Sequence, residues 1–157
     1  MTVENFFGEW SIDQKVFGWI LSNLQRDSHI LELGSGYATG ELARYYNMHS
    51  IEQDKSFIDN HKSHYIYAPI VNDWYDIKIL QEELPKIKYD LLLIDGPNSC
   101  NRLKFMDNIG LFNMFAKIII DDCQETHIKD MADKLSHDLN RPGIILYGTK
   151  KMAMVIA

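Results

Sequence analysis

Four residues, Gly148-Thr149-Lys150-Lys151, separate the last two of seven short apolar runs in this chain. The runs fall at His29–Leu33, Met48–Glu52, Ile66–Val71, Leu91–Asp95, Lys117–Asp121, Ile144–Tyr147 and Met152–Ile156. Most are continuously apolar rather than alternating, the pattern of parallel strands buried on both faces. Parallel neighbours need a long crossover, and the first five runs are spaced for one. The last link is too short for a crossover helix, so the final two runs form an antiparallel hairpin. The expected architecture is α/β: a seven-stranded, mostly parallel sheet with helices on both faces and an antiparallel C-terminal hairpin strand. A purely doubly wound dinucleotide domain would continue with helices instead.

Helical patterns fill the gaps. Ser11-Ile12-Asp13-Gln14 reads as a capping box ahead of an apolar face of Val16, Phe17, Ile20, Leu21 and Leu24. Trp74 to Leu84 places Ile77, Leu80 and Leu84 on one side, and Arg102 to Phe115 does so with Phe105, Ile109 and Phe112. Ile128, Met131, Ala132, Leu135 and Leu139 form a stripe that stops at Asn140-Arg141-Pro142-Gly143. At 157 residues the chain is expected to be one domain, with residues 1–28 a helical cover and 29–157 a cofactor-binding core.

The net charge of −6 argues against a nucleic-acid partner, which needs a basic stripe. Cys100 and Cys123 stand in no metal or redox spacing and read as free thiols in a reducing compartment. The N-terminus lacks a basic region followed by an apolar stretch, and no apolar run approaches the roughly 18 residues of a membrane span. A cytoplasmic protein without a membrane partner is therefore expected.

Ile30 to Gly40, Ile-Leu-Glu-Leu-Gly-Ser-Gly-Tyr-Ala-Thr-Gly, reads as a buried strand breaking into a glycine-rich turn that opens a helix. Glu52 closes the second apolar run about 20 residues after Glu32. Glycines let backbone approach a ligand closely, and a carboxylate accepts hydrogen bonds from both hydroxyls of a ribose. The pair suits an adenosine-bearing cofactor.

With the terminal hairpin, these motifs resemble the class I S-adenosylmethionine-dependent methyltransferases, a Rossmann-like family whose last strand is inserted antiparallel. The resemblance spans essentially the whole chain. Leu31 to Gly40 is similar to a subgroup whose first motif runs Glu-x-Gly-Ser-Gly-Tyr, and Ser50-Ile51-Glu52-Gln53-Asp54 to that subgroup's second motif. Ala38 stands where the common pattern has a third glycine. The resemblance implies that Glu32 orients the methionine amino end of the cofactor, directly or through water. It implies that Gly34, Ser35 and Gly36 form the loop beneath the ribose and carboxylate, and that Glu52 takes the ribose hydroxyls. Asp73 would accept from the adenine amine, Trp74 would cover the ring, and Asp95 would stand beside the cofactor.

Ligands of open α/β sheets sit at the carboxyl ends of the strands. The fourth and fifth runs end in Asp95 and in Asp121-Asp122. Three carboxylates there suit Mg²⁺ or Ca²⁺, and the arrangement resembles metal-dependent O-methyltransferases, in which the ion lowers the pKa of a substrate hydroxyl. Without a metal, Asp95 or His127 is the expected general base. Arg102 reads as a solvated helix-start residue or a partner for an anionic substrate. Asp95-Gly96-Pro97-Asn98 does not match the Asn/Asp-Pro-Pro-aromatic signature of adenine-type N-methyltransferases.

The expected function is methyl transfer to a hydroxyl of a small-molecule or saccharide acceptor. The alternatives are an NAD-dependent oxidoreductase, which the hairpin and short chain disfavour, and a non-catalytic cofactor-binding protein of the same fold. Phe6-Phe7-Gly8-Glu9-Trp10 reads as a lid, a core staple or a homodimer contact.

Overall fold

The structure, a computed structural model, describes residues 11–157. The Phe6–Trp10 segment lies outside the described residues.

The main sheet is built from β1 (His29–Leu33), β2 (Asn47–Glu52), β3 (His64–Tyr67), β6 (Leu91–Ile94), β7 (Lys117–Ile120), β8 (Gly143–Tyr147) and β9 (Met152–Ile156). A separate two-stranded ribbon pairs β4 (Ile70–Val71) with β5 (Trp74–Tyr75). The main sheet runs β3-β2-β1-β6-β7-β9-β8. The first five of these strands are parallel, and β9 pairs antiparallel with both β7 and β8. This is the expected topology, and the register makes it useful. Leu33 lies level with Ile51 and with Ile94, and Ile94 with Ile120. The residues that follow these positions, Gly34, Glu52, Asp95 and Asp121, therefore emerge side by side along one edge.

The alternation of side chains across a strand sends neighbours to opposite faces. Ile30, Leu91, Leu93, Ile119 and Val155 pack on one face, under α1 (Gln14–Asn23) and α2 (Tyr37–Leu42). Leu31, Leu33, Leu92, Ile94, Ile118 and Ile120 pack on the other, under α3 (Ile77–Glu83) and α5 (Thr126–Asp138). Each such buried aliphatic side chain contributes about 1.5–3 kcal/mol.

Several local expectations are corrected. The α1 N-cap is Asp13, whose carboxylate accepts from Lys15 N at 2.8 Å, rather than Ser11. The third run does not continue to Val71 as one strand. Ala68 N reaches Glu52 O, but Pro69 has no N–H to extend the ladder, and Ile70–Val71 turns away into the ribbon. Trp74 does not open a helix. Asn72 and Asp73 are both left-handed, at φ 53° and 66°, the geometry of a tight hairpin turn, and α3 starts only after its cap, Asp76. Arg102–Phe115 is not one α-helix: α4 (Ser99–Arg102) runs into a 3₁₀ segment, Leu103–Leu111.

Candidate active site at the carboxyl edge of the sheet

A cavity of about 550 Å³ opens at the carboxyl edge. One flank is the Gly34–Gly36 turn with Glu32, Thr39, Glu52 and Phe57, and the other is Asp95, Arg102, Asp122 and Lys151.

On the first flank, Glu32 is 3% exposed, and its Oε1 accepts from Thr39 Oγ1 and Ser50 Oγ, both at 2.6 Å. Burial pushes its carboxyl from the ordinary 4.5 up to about 7. The Ser50 and Thr39 hydrogen bonds oppose the rise, and the Glu52 charge adds to it. Glu52, equally buried, accepts from Ser35 N at 2.8 Å and from Asp54 N at 2.9 Å, one bond to each oxygen. A carboxylate has about four acceptor sites, so each oxygen keeps one for a ligand hydroxyl. The Ser35 hydroxyl contacts Thr39 Oγ1 and Tyr65 Oη, and Gly36 N donates to Thr39 Oγ1. The turn is thus set by side chains before any ligand arrives.

The two glycines do different work. Gly34 has φ 88°, and a Cβ there would meet the Asp95 carbonyl oxygen at 3.2 Å. It allows the left-handed turn and the close seam with the loop after β6. Gly36 is extended, and a Cβ there would meet nothing within 4 Å. The space above it is open to a ligand.

On the second flank, oxygens of Asp95, Asp121 and Asp122 lie within 4.8 Å of one another. Two cations already serve them. Arg102 is 3% exposed; its guanidinium donates to the carbonyls of Pro97, Asp121 and Asp95 and, at 2.9 Å, to Asp122 Oδ2. Its Nη2 also lies 3.9 Å from Asp95 Oδ1. Lys151 Nζ lies 3.3 Å from Asp122 Oδ1 and 3.5 Å from Asp121 Oδ2. The Asp121 contact is electrostatic only, since neither oxygen of this fully buried carboxylate has a hydrogen-bond donor. Burial, reinforced by Asp121, holds the Asp95 carboxyl well above its usual range. Burial and then Asp122 raise Asp121. Burial acts the same way on Asp122, but Arg102 and Lys151 outweigh it and hold that carboxyl low.

Cations already engage much of this donor set: both Asp122 oxygens face Arg102 or Lys151, and Lys151 lies against Asp121 Oδ2, while Asp121 Oδ1 has no partner among the described residues.

Four expected residues do not line the cavity, and one of them, Asp121, is fully buried beside Asp95 and Asp122. Asp73 is exposed at the ribbon turn. Trp74 is buried in the core, edge-on to Tyr75 and Phe105, because the hairpin turn points it inward. His127 lies on the surface, 3.3 Å from Glu125, and is absent from the cavity wall. Arg102 is buried rather than solvated. Cys100 and Cys123 are free thiols, as expected. Lys151 and Phe57 were not singled out by motif; the signal for Lys151 was its position just before the last strand, which the antiparallel register lays beside Asp121.

No protein-family model matches the chain, and no curated protein sequence matches it. Solved structures do. The O-methyltransferase from Bacillus cereus, in complex with SAH, matches with a TM-score of 0.65 and 15% identity, over 96% of this chain and 84% of that one. Precorrin-6y C5,15-methyltransferase from Geobacter metallireducens matches with a TM-score of 0.64 and 12% identity, over 94% and 89%. A precorrin 8W decarboxylase from Methanobacterium thermoautotrophicum matches at 0.56 and 14%, over 90% and 87%. At such identities the likeness is one of architecture: the chain has the Rossmann-like fold of class I S-adenosylmethionine-dependent methyltransferases.

Proposed function

We propose that the chain is an S-adenosylmethionine-dependent methyltransferase that methylates a hydroxyl of a small-molecule or saccharide acceptor. The observation that carries this is the asymmetry of the cavity. One flank offers open space over Gly36, bordered by two buried carboxylates, Glu32 and Glu52, that have hydrogen-bond donors but no cation among the described residues. The cofactor supplies what that flank lacks. Its methionine ammonium would answer Glu32, and its ribose hydroxyls would donate to Glu52. Phe57, exposed on the 3₁₀ turn Lys55–Phe57 and part of the cavity wall, is assigned to the adenine face in place of Trp74.

The sulfonium is already activated, so the protein has two tasks: aligning the acceptor oxygen with the methyl group, and removing its proton. Asp95 suits the second task. It lines the cavity, and burial with the neighbouring Asp121 raises its pKa, which makes its ionised carboxylate a stronger proton acceptor than an exposed one. His127 is not needed for the step and does not reach it.

The test is calorimetric titration with S-adenosylhomocysteine and NAD⁺ in parallel. Binding of S-adenosylhomocysteine alone is expected. Binding of NAD⁺ alone would move the chain to the oxidoreductases, and binding of neither would remove the cofactor from the assignment.

A further inference from the structure

The second flank of the cavity already contains its counter-charge. Lys151 belongs to the turn between β8 and β9, and that turn is pinned at several points. Gly148 N donates to Lys151 O at 2.8 Å, Thr149 N to Asp13 Oδ2 at 3.3 Å, and Met152 N to Gln124 Oε1 at 2.9 Å. Because β9 runs antiparallel to β7, its start lies at the carboxyl end of β7, and Lys151 arrives directly over Asp121 and Asp122. The ammonium is a fixed feature of the site, mostly buried and on the cavity wall.

We propose that Lys151, seconded by Arg102, takes the place of a divalent cation at the acidic cluster, so that this site works without a metal. Three carboxylates facing two fixed cations leave at most one unit of negative charge, which favours the sulfonium beside it. A divalent ion added to the same group would turn the site positive next to a cationic cofactor, and like charges at short range repel. It would also have to draw on Asp122, whose Oδ2 is held by Arg102 and whose Oδ1 lies against Lys151 and accepts from Gln124. Arg102 is the structural half of the pair, buried and committed to three carbonyls. Lys151 is the half that faces the cavity. An ammonium has three N–H groups, and its two carboxylate neighbours leave at least one of them for an acceptor oxygen. This catalytic consequence rests on the methyltransferase assignment; the charge balance itself does not.

The proposal is tested by metal binding rather than by turnover. Mn²⁺ is titrated into the wild type and Lys151→Met, with the free ion read by electron paramagnetic resonance. The wild type is expected to show no saturable binding below about 1 mM, the weak end of protein cation sites. Lys151→Met uncovers Asp121 and should bind at least about 10-fold more tightly, and adding Asp121→Asn should abolish the gain. Lys151→Gln serves as the second opening variant, and thermal melting confirms that each variant folds. Saturable binding by the wild type that Asp121→Asn removes overturns the proposal, and so does a folded Lys151 variant with no gain. S-adenosylhomocysteine titrated into the same wild-type sample reports on the cofactor separately. Its binding together with wild-type Mn²⁺ binding would sink only the metal-free site, and its failure to bind would sink only the methyltransferase assignment.

Discussion

The two flanks of the cavity carry buried carboxylates, yet they balance them differently. Glu32 and Glu52 are held by hydroxyls and backbone amides, whereas Asp95, Asp121 and Asp122 are held largely by Arg102 and Lys151. Neutral donors orient a carboxylate without cancelling its charge, so the first flank keeps an attraction for a cationic ligand. Fixed cations cancel most of the charge in place, so the second flank keeps at most one unit of negative charge before anything binds. The contrast separates a surface built to receive from one built to hold.

The contrast breaks most visibly at Arg102. Arg102→Ala would remove the short ion pair to Asp122 and the guanidinium hydrogen bonds to three carbonyls. The expected loss is about 3–5 kcal/mol of stability, the scale for removing one partner of a buried pair. Urea denaturation checks it, and a loss below about 1 kcal/mol would mean that the network is looser than its geometry. The next effect lies on the first flank. Folding raises the Glu32 pKa from 4.5 to about 7, so its contribution to stability is present in full below pH 4.5 and is lost as pH rises through about 7. The whole span is worth about 3 kcal/mol at most. Glu32→Gln should flatten that part of the stability profile between pH 5 and pH 8; an unchanged slope would assign it to other groups.

Two binding measurements sharpen the picture further. Glu52→Gln should weaken S-adenosylhomocysteine by roughly 1.5–3 kcal/mol, the scale of hydrogen bonds to a charged group. Equal affinity in wild type and variant would remove Glu52 from the ribose. Phe57→Ala should cost about 0.5–1.5 kcal/mol of the same affinity, the worth of an aromatic face beyond its area. If Trp74→Phe instead proves the more damaging to affinity in folded protein, the adenine lies elsewhere.

Much of the molecule is legible from its residues. Leu91–Ile94 and Ile118–Ile120 are apolar without a break because both faces of the sheet are covered. The four-residue link at Gly148–Lys151 admits only a hairpin, and Gly34 and Glu52 fall at strand ends where a turn and a ligand-facing carboxylate are expected. These are local facts: periodicity, link length and backbone freedom act over a few residues, so the chain itself records them. The failures are of two other kinds. At Trp74, helical spacing was outweighed by the Asn72-Asp73 turn, which sends the indole into the core rather than over a ligand. At the acidic cluster, spacing in sequence placed three carboxylates together but said nothing about what faces them. Only the antiparallel register of β9 carries Lys151 to Asp121, and only the fold of the loop after β6 turns Arg102 inward. Charge pairing between distant segments leaves no periodic trace. It depends on distances of a few ångströms that the tertiary structure alone decides.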